Sequence, residues 1–210
     1  MNLSMTLPTG QCRLILGSTS AYRRELLSRL CIPFDVASPG VDETPLPTEA
    51  PRALAERLAL AKAKAVAAKF VTAVVIGSDQ VADLNGQSLG KPGTHANAVL
   101  QLRQMRGQTV WFYTAVAVVC QATGFEQRGL VATQVKFRDF SDDEIENYLQ
   151  IEKPYDCAGS AKSEGLGIAM LDSIQSDDPT ALIGLPLIKT CKMIAQAGVV
   201  LLAKKVEQAL

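Results

Sequence analysis

Short apolar runs alternate with amphipathic stretches along this chain, a pattern that predicts a mixed α/β protein. An apolar run at 13–17 predicts a buried strand. Small polar residues follow at 18–21, then a helix from about 22 to 30 with Leu26, Leu27 and Leu30 on its inner face. Residues 33–37 predict a second strand, and the Pro-rich, acidic stretch 38–51 a loop. The Ala-rich segment from about 51 to 70 predicts a long helix. Residues 73–79 predict a strand ending on a carboxylate, and Asn85-Gly86 marks a hairpin between two short strands. Thr94 is placed to cap a helix running to about Arg106. Two β-rich runs, 109–121 and 128–138, predict an antiparallel pair. Ser141 and Glu144 form a capping-box pattern that opens a helix to about Gln150. A loop at 155–167, a strand at 168–174 and a helix at 187–197 complete the expected order.

The 210 residues suit one domain, or one sheet bent into two lobes around a cleft, and 48% hydrophobic residues suffice for a sizeable core. The expected domain spans 12–206, preceded at 1–11 by a leader without regular structure, and the Lys-rich end is expected to be loosely ordered. No apolar run reaches 18 residues and the first residues lack a signal-peptide pattern, so neither a membrane span nor secretion is expected. Five cysteines without a CxxC spacing suit reduced thiols in the cytoplasm. The single histidine, His95, argues against a histidine-based zinc site and a Ser-His-Asp triad. A formal net charge of zero argues against a surface that coats nucleic acid, although a local basic cluster can still bind phosphate.

Four groups of residues carry candidate chemistry. Ser18, Thr19 and Ser20 precede a helix that begins with Tyr22, Arg23 and Arg24. Free N–H groups, hydroxyls and guanidinium forks at a helix start suit phosphate oxygens. The segment matches neither the P-loop nor the Rossmann fingerprint, and an ordinary capped helix with solvent-facing arginines has the same residue types. Asp42 and Glu43 in the loop and Asp79 on its strand offer oxygen ligands to magnesium or manganese. Asp79 follows a buried apolar run and therefore needs a cation or donor beside it. Lys62 and Lys64 lie about 200° apart on their helix, so only one can face a cleft, while Lys91 is stiffened by Pro92. Small residues at 157–165 permit close approach of a ligand and carry Lys162 and Glu164.

In order, these segments resemble the Maf family: Ser-x-Ser-x-x-Arg-Arg-x-Leu-Leu at 18–27, Val-Asp-Glu at 41–43, Leu-Ala-x-x-Lys-Ala at 58–63, Gly-Ser-Asp-Gln-Val at 77–81, Gly-Lys-Pro at 90–92 and Gly-Leu-Pro-Leu at 184–187. The stretch 157–167 looks like the subgroup acting on 7-methylguanosine triphosphate. The resemblance covers about 12–195. It implies an inosine-triphosphatase-like fold, a long bent mixed sheet flanked by helices, and a metal-dependent nucleotide pyrophosphatase that attacks the α-phosphate. It places the general base on Asp79, the metal side on Glu43 and Asp79, and phosphate contacts on Ser18, Ser20, Arg23, Arg24, Lys62 and Lys91. Tyr22, Gln80 and Glu164 fall on the positions that set base specificity. The pyrimidine-triphosphate subgroup resembles Arg, Thr and Gln there, and often has Glu where this chain has Gly90; a dTTP/UTP pyrophosphatase is therefore the second expectation. A cationic 7-methylguanine suits an aromatic face at Tyr22 and a carboxylate at Glu164. A homodimer is compatible with the family. A non-catalytic nucleotide-binding regulator of cell division is the alternative of another class.

Overall fold

The computed structural model describes residues 12–202. The expected leader at 1–11 and the end of the expected domain, with its Lys-rich tail, lie outside the described residues. Seven strands form one mixed sheet: β1 (Leu14–Leu16), β2 (Asp35–Val36), β3 (Val74–Leu84), β4 (Gln87–Leu89), β5 (Thr109–Cys120), β6 (Phe125–Phe137) and β7 (Leu171–Gln175). Among the described residues, five helices flank it: α1 (Ala21–Ser28), α2 (Pro51–Ala67), α3 (His95–Met105), α4 (Asp142–Glu152) and α5 (Leu187–Gln196).

The sheet order is β2-β1-β3-β5-β6-β7, with β4 paired to the far end of β3. β1 runs parallel to β2 and β3, and the remaining pairings are antiparallel. Local sequence explains the ends of several elements. Ser20 Oγ accepts from Arg23 N, Thr94 Oγ1 accepts from Asn97 N, and Ser141 with Glu144 closes both halves of a capping box. Pro51 opens α2, where its missing N–H has no helical partner to lose. Asn85 and Gly86 both take positive φ, 54° and 86°, as a two-residue hairpin requires.

Three buried clusters hold the sheet. On one face, α2 packs Leu54, Leu58, Ala63 and Val66 against Ile15, Val75, Ala115 and Ala117. On the other, Leu26, Leu27, Met193 and Ile194 from α1 and α5 cover Leu14, Leu16, Val74 and Ile76. At the far end of the long strands, α3 and α4 pack Leu102, Met105, Ile145 and Leu149 on Phe112, Val135 and Phe137.

Two strand expectations change. β3 does not end at Asp79 but continues to Leu84, because β4 and β5 pair with its distal half. The strand expected at 168–174 begins only at Leu171, since 3-10 turns occupy Leu166–Met170. The strand that stops near Asp79 is its neighbour β1, whose last partner on β3 is Ile76. β4 takes up the same edge of β3 only from Ala82. The stretch between, with Asp79 near its middle, has no ladder partner on that edge among the described residues. A window thus opens beyond the carboxyl end of a parallel strand, where open α/β sheets bind ligands.

Candidate active site

A cleft of about 640 Å³ occupies this window. Ser18, Thr19, Ser20, Tyr22 and Arg23 line it from the end of β1 and the start of α1. Glu43 enters from the 38–50 loop, Lys62 from α2, Asp79 and Gln80 from β3, Lys91 from the segment after β4, and Glu164 from the loop before β7. Arg24, expected from the sequence to contact phosphate, does not line the cleft: it lies exposed on α1. The helix turn that aims Arg23 inward carries its neighbour about 100° away. Asp42 is absent from the lining as well; its Oδ1 accepts from Thr44 N and Thr44 Oγ1 and closes a local turn.

The centre of the cleft is a lysine between two carboxylates. Lys62 Nζ donates to Asp79 Oδ1 at 2.6 Å and lies 2.8 Å from Glu43 Oε1. Lys62 and Asp79 are buried, whereas the Glu43 side chain is about half exposed (54%). Gly77 makes this possible. A Cβ there would lie 2.3 Å from Ala59 O and 2.5 Å from Ala63 N, so only glycine lets the α2 backbone settle onto β3. Side chains alternate along a strand, so Asp79 shares the α2 face with Gly77, while Ser78 and Gln80 face the opposite side. Lys64 points away to solvent and pairs with Glu126 at 2.8 Å. Partial burial acts against the Glu43 carboxylate, but Lys62, Lys91 and Arg23 together hold it below its ordinary range.

On the opposite side, Arg23 Nε donates to Gly184 O at 2.9 Å and Nη1 to Ser18 Oγ at 3.4 Å. Ser78 Oγ donates to the same Gly184 carbonyl at 2.9 Å. Burial pulls the Arg23 guanidinium below its ordinary value, and the charges of Asp79 and Glu43 oppose that pull. Gln80 Nε2 meets Thr114 Oγ1, Ala181 O and Leu182 O within 3.0 Å, so its donors are spent on the 181–184 turn. Its Oε1 remains as the group not engaged there.

The third wall carries an aromatic face and acids. Tyr22 OH donates to Asp156 Oδ1 at 3.4 Å, and the Lys162 ammonium lies 5.9 Å above the Tyr22 ring centroid. Lys162 also pairs with Glu152 at 2.5 Å, and Glu152 Oε2 accepts from Leu166 N, which pins the loop bearing Glu164 to the end of α4. Burial, with Cys157, Asp156 and Glu164 adding to it, pushes the Tyr22 hydroxyl well above its ordinary value. Burial likewise raises the Glu164 carboxyl. The Cys157 thiol is pushed up to about 12, first by burial.

Several contributors escaped the sequence reading. Asp156 lines the cleft, its carboxylate accepting from Tyr22 OH, only because a long chain excursion folds back on α1. Arg57 clamps the loop that carries Glu43: its Nε and Nη2 reach the Glu49 carboxylate at 2.6 and 2.8 Å, and Nη2 reaches Thr44 O at 3.0 Å. No periodicity links a loop acid to a helix arginine eight residues on. Gly77 did leave a signal, since glycine inside an apolar strand marks a close backbone approach. Among the described residues, no group of three or more His, Cys, Asp or Glu gathers as a metal cage.

Known proteins resemble this chain over nearly its whole length. The model for Maf-like protein matches residues 13–197. A protein of Polaromonas sp. (strain JS666 / ATCC BAA-500) named 7-methyl-GTP pyrophosphatase is 73% identical over 194 residues, 92% of this chain and 89% of the relative. Relatives of the same name from Albidiferax ferrireducens and Aromatoleum aromaticum are 67% and 59% identical; each covers 90% of this chain, matching 95% and 97% of their own lengths. With a cleft assembled from the very segments that carried the resemblance, these matches lead to one conclusion: the chain belongs to the Maf family.

Proposed function

We propose that the chain is a nucleotide pyrophosphatase that hydrolyses 7-methyl-GTP to 7-methyl-GMP and pyrophosphate. The observation that carries the reaction class is the cleft itself: Arg23, Lys62 and Lys91 converge with Asp79 and Glu43 on a space of nucleotide size. The base preference is supported by the relatives' names and by the Tyr22 face beside Asp156 and Glu164, a setting suited to a cationic purine.

In this reading, Ser18, Ser20, Arg23 and Lys91 hold the triphosphate, and the Arg23 fork is aimed by Gly184 O. Asp79 accepts a proton from the attacking water, which adds to the α-phosphorus as pyrophosphate departs. A carboxylate is a weak base at neutral pH. Two carboxylates that already converge on one cation fit a magnesium or manganese ion, which Glu43 and Asp79 would hold together with phosphate oxygens. When bound, that ion lowers the pKa of a coordinated water and offsets phosphate charge. Asp79 orients and deprotonates the water, and the Lys62 ammonium would offset phosphate charge.

The described residues include no helix long and apolar enough to cross a membrane. The free cysteines support a reducing compartment, and we place the enzyme in the cytoplasm. The test is a panel of triphosphates with 7-methylguanosine, guanosine, deoxythymidine and uridine bases, read by released pyrophosphate with and without chelator. Highest kcat/KM on the 7-methylguanosine form, lost on chelation, is expected. Preference for the pyrimidines would move the chain to the other subgroup, and no pyrophosphate from any of them would overturn the reaction class.

A further inference from the structure

The two carboxylates suited to a divalent ion already share one cation supplied by the protein. Lys62 Nζ sits 2.6 Å from Asp79 Oδ1 and 2.8 Å from Glu43 Oε1, on a side chain only 5% exposed. A buried ammonium depends on such partners, because an unpaired charge in that position is costly. The root of Lys62 is also fixed. At Gly77, α2 lies against β3 so closely that an added Cβ would fall 2.3 Å from Ala59 O. Close seating of α2 on β3 thus places the Lys62 stem directly over Asp79.

A free divalent ion entering here meets a resident cation on the oxygens it needs. Like charges a few ångströms apart in a partly buried setting repel strongly. The carboxylate pair also supplies only part of an ion's ligand set. Magnesium and manganese favour about six oxygens, and among the described residues no third carboxylate, thiol or imidazole joins the pair into a cage. A polyphosphate brings both missing elements, oxygen ligands for the ion and negative charge for the ammonium.

We infer that Lys62 is an internal counter-ion that keeps the Glu43–Asp79 pair closed to free divalent ions, so that the ion is bound only together with a triphosphate, whose charge draws the ammonium off the carboxylates. This inference rests on the reading of the cleft as a metal-assisted triphosphate site. It assigns Lys62 one partner set in the free protein and another in the complex. It also makes the protein insensitive to the level of free metal until nucleotide arrives.

The probe is Mn²⁺ alone, its free fraction followed by electron paramagnetic resonance, with the full chain and with or without a non-hydrolysable α,β-methylene analogue of 7-methyl-GTP. The wild type is expected to bind Mn²⁺ at least about tenfold more tightly with the analogue than the protein and the analogue bind it separately. Lys62→Met removes the charge and keeps an apolar stem of similar length. It is expected to bind Mn²⁺ without nucleotide at least about tenfold more tightly than the wild type, whereas Lys62→Arg stays closed. Nucleotide-independent binding by the wild type that matches its binding with the analogue would overturn the inference, as would a folded Lys62→Met no better at binding than the wild type. Neither wild-type measurement depends on a variant that folds. Pyrophosphate release that survives chelation is a separate outcome: it removes the metal from the reaction, whatever the Mn²⁺ titration shows.

Discussion

Asp79 and Glu43 share one ammonium but differ in burial, and their removal separates stability from chemistry. Asp79→Asn leaves the buried Lys62 with a single, half-exposed carboxylate. It is expected to lower stability by about 3 kcal/mol in urea unfolding, and to lower kcat for pyrophosphate release by at least about 100-fold. Glu43→Gln is expected to cost less than about 1 kcal/mol, since solvent screens its partly exposed pair, while kcat falls comparably. Near wild-type turnover in either variant would remove that residue from the chemistry. At the base end, Glu164 stands beside Tyr22 in a wall where burial raises its carboxyl. Glu164→Gln keeps the size and loses the charge. The ratio of kcat/KM for 7-methyl-GTP over GTP is expected to fall about tenfold, with GTP itself little changed; an unchanged ratio would place base selection elsewhere.

Helix α2 is the element on which the site depends, and Gly77 is the position that seats it. Gly77→Ala places a methyl group against backbone atoms that cannot rotate away. The expected loss is about 1–3 kcal/mol of stability, together with a fall in kcat as Lys62 is carried away from Asp79. A stability loss with kcat intact would show that the pair tolerates displacement of the helix. The loop before α2 is held by another device, the Arg57 fork on Glu49. The Arg57 hydrogen bonds, with Leu46 N, lower the Glu49 carboxyl from 4.5 to about 2. A depressed folded-state value stabilises the fold above the unfolded value, and that stabilisation fades as pH falls from about 4.5 toward 2. Urea unfolding of wild type and Glu49→Gln is therefore expected to differ at neutral pH and to converge across that window. A gap that stays constant down to pH 2 would show that the clamp contributes through packing alone.

Across the whole molecule, the cleft joins parts that the core keeps in separate clusters. Leu58 from the α2 cluster, Leu89 from the α3/α4 cluster and Ile183 beside the α1/α5 cluster all line it. A ligand held there binds only the folded arrangement. At a hundred times its dissociation constant, a non-hydrolysable triphosphate analogue with Mg²⁺ is expected to add about 2.7 kcal/mol of stability. For a chain of this size that raises Tm by roughly 5–11 °C. A thermal shift shows it, and an unchanged Tm at saturating analogue would mean that no such site forms. The same scale explains what the sequence left hidden. Helix starts at Thr94 and Ser141 were legible, because a cap is settled by the three or four residues beside it. The continuity of β3 was not, because the strand expected to end at Asp79 and the short strand before Asn85 become one only along the unbroken ladder to β5.

The sequence by itself determined the kinds and order of the elements, the hairpin at Asn85-Gly86, the single inward lysine of the Lys62 and Lys64 pair, and the phosphate- and metal-suited residue types, all consequences of short-range periodicity and side-chain chemistry. Only the tertiary structure decided that β1 stops short beside β3 to open a window, that Arg23 and not Arg24 faces it, that Gln80 spends its donors on the 181–184 turn, and that Asp156 joins the wall. Those outcomes depend on contacts between residues distant in the chain. Local preferences fix what each segment becomes, whereas strand register and close helix packing fix which side chains meet.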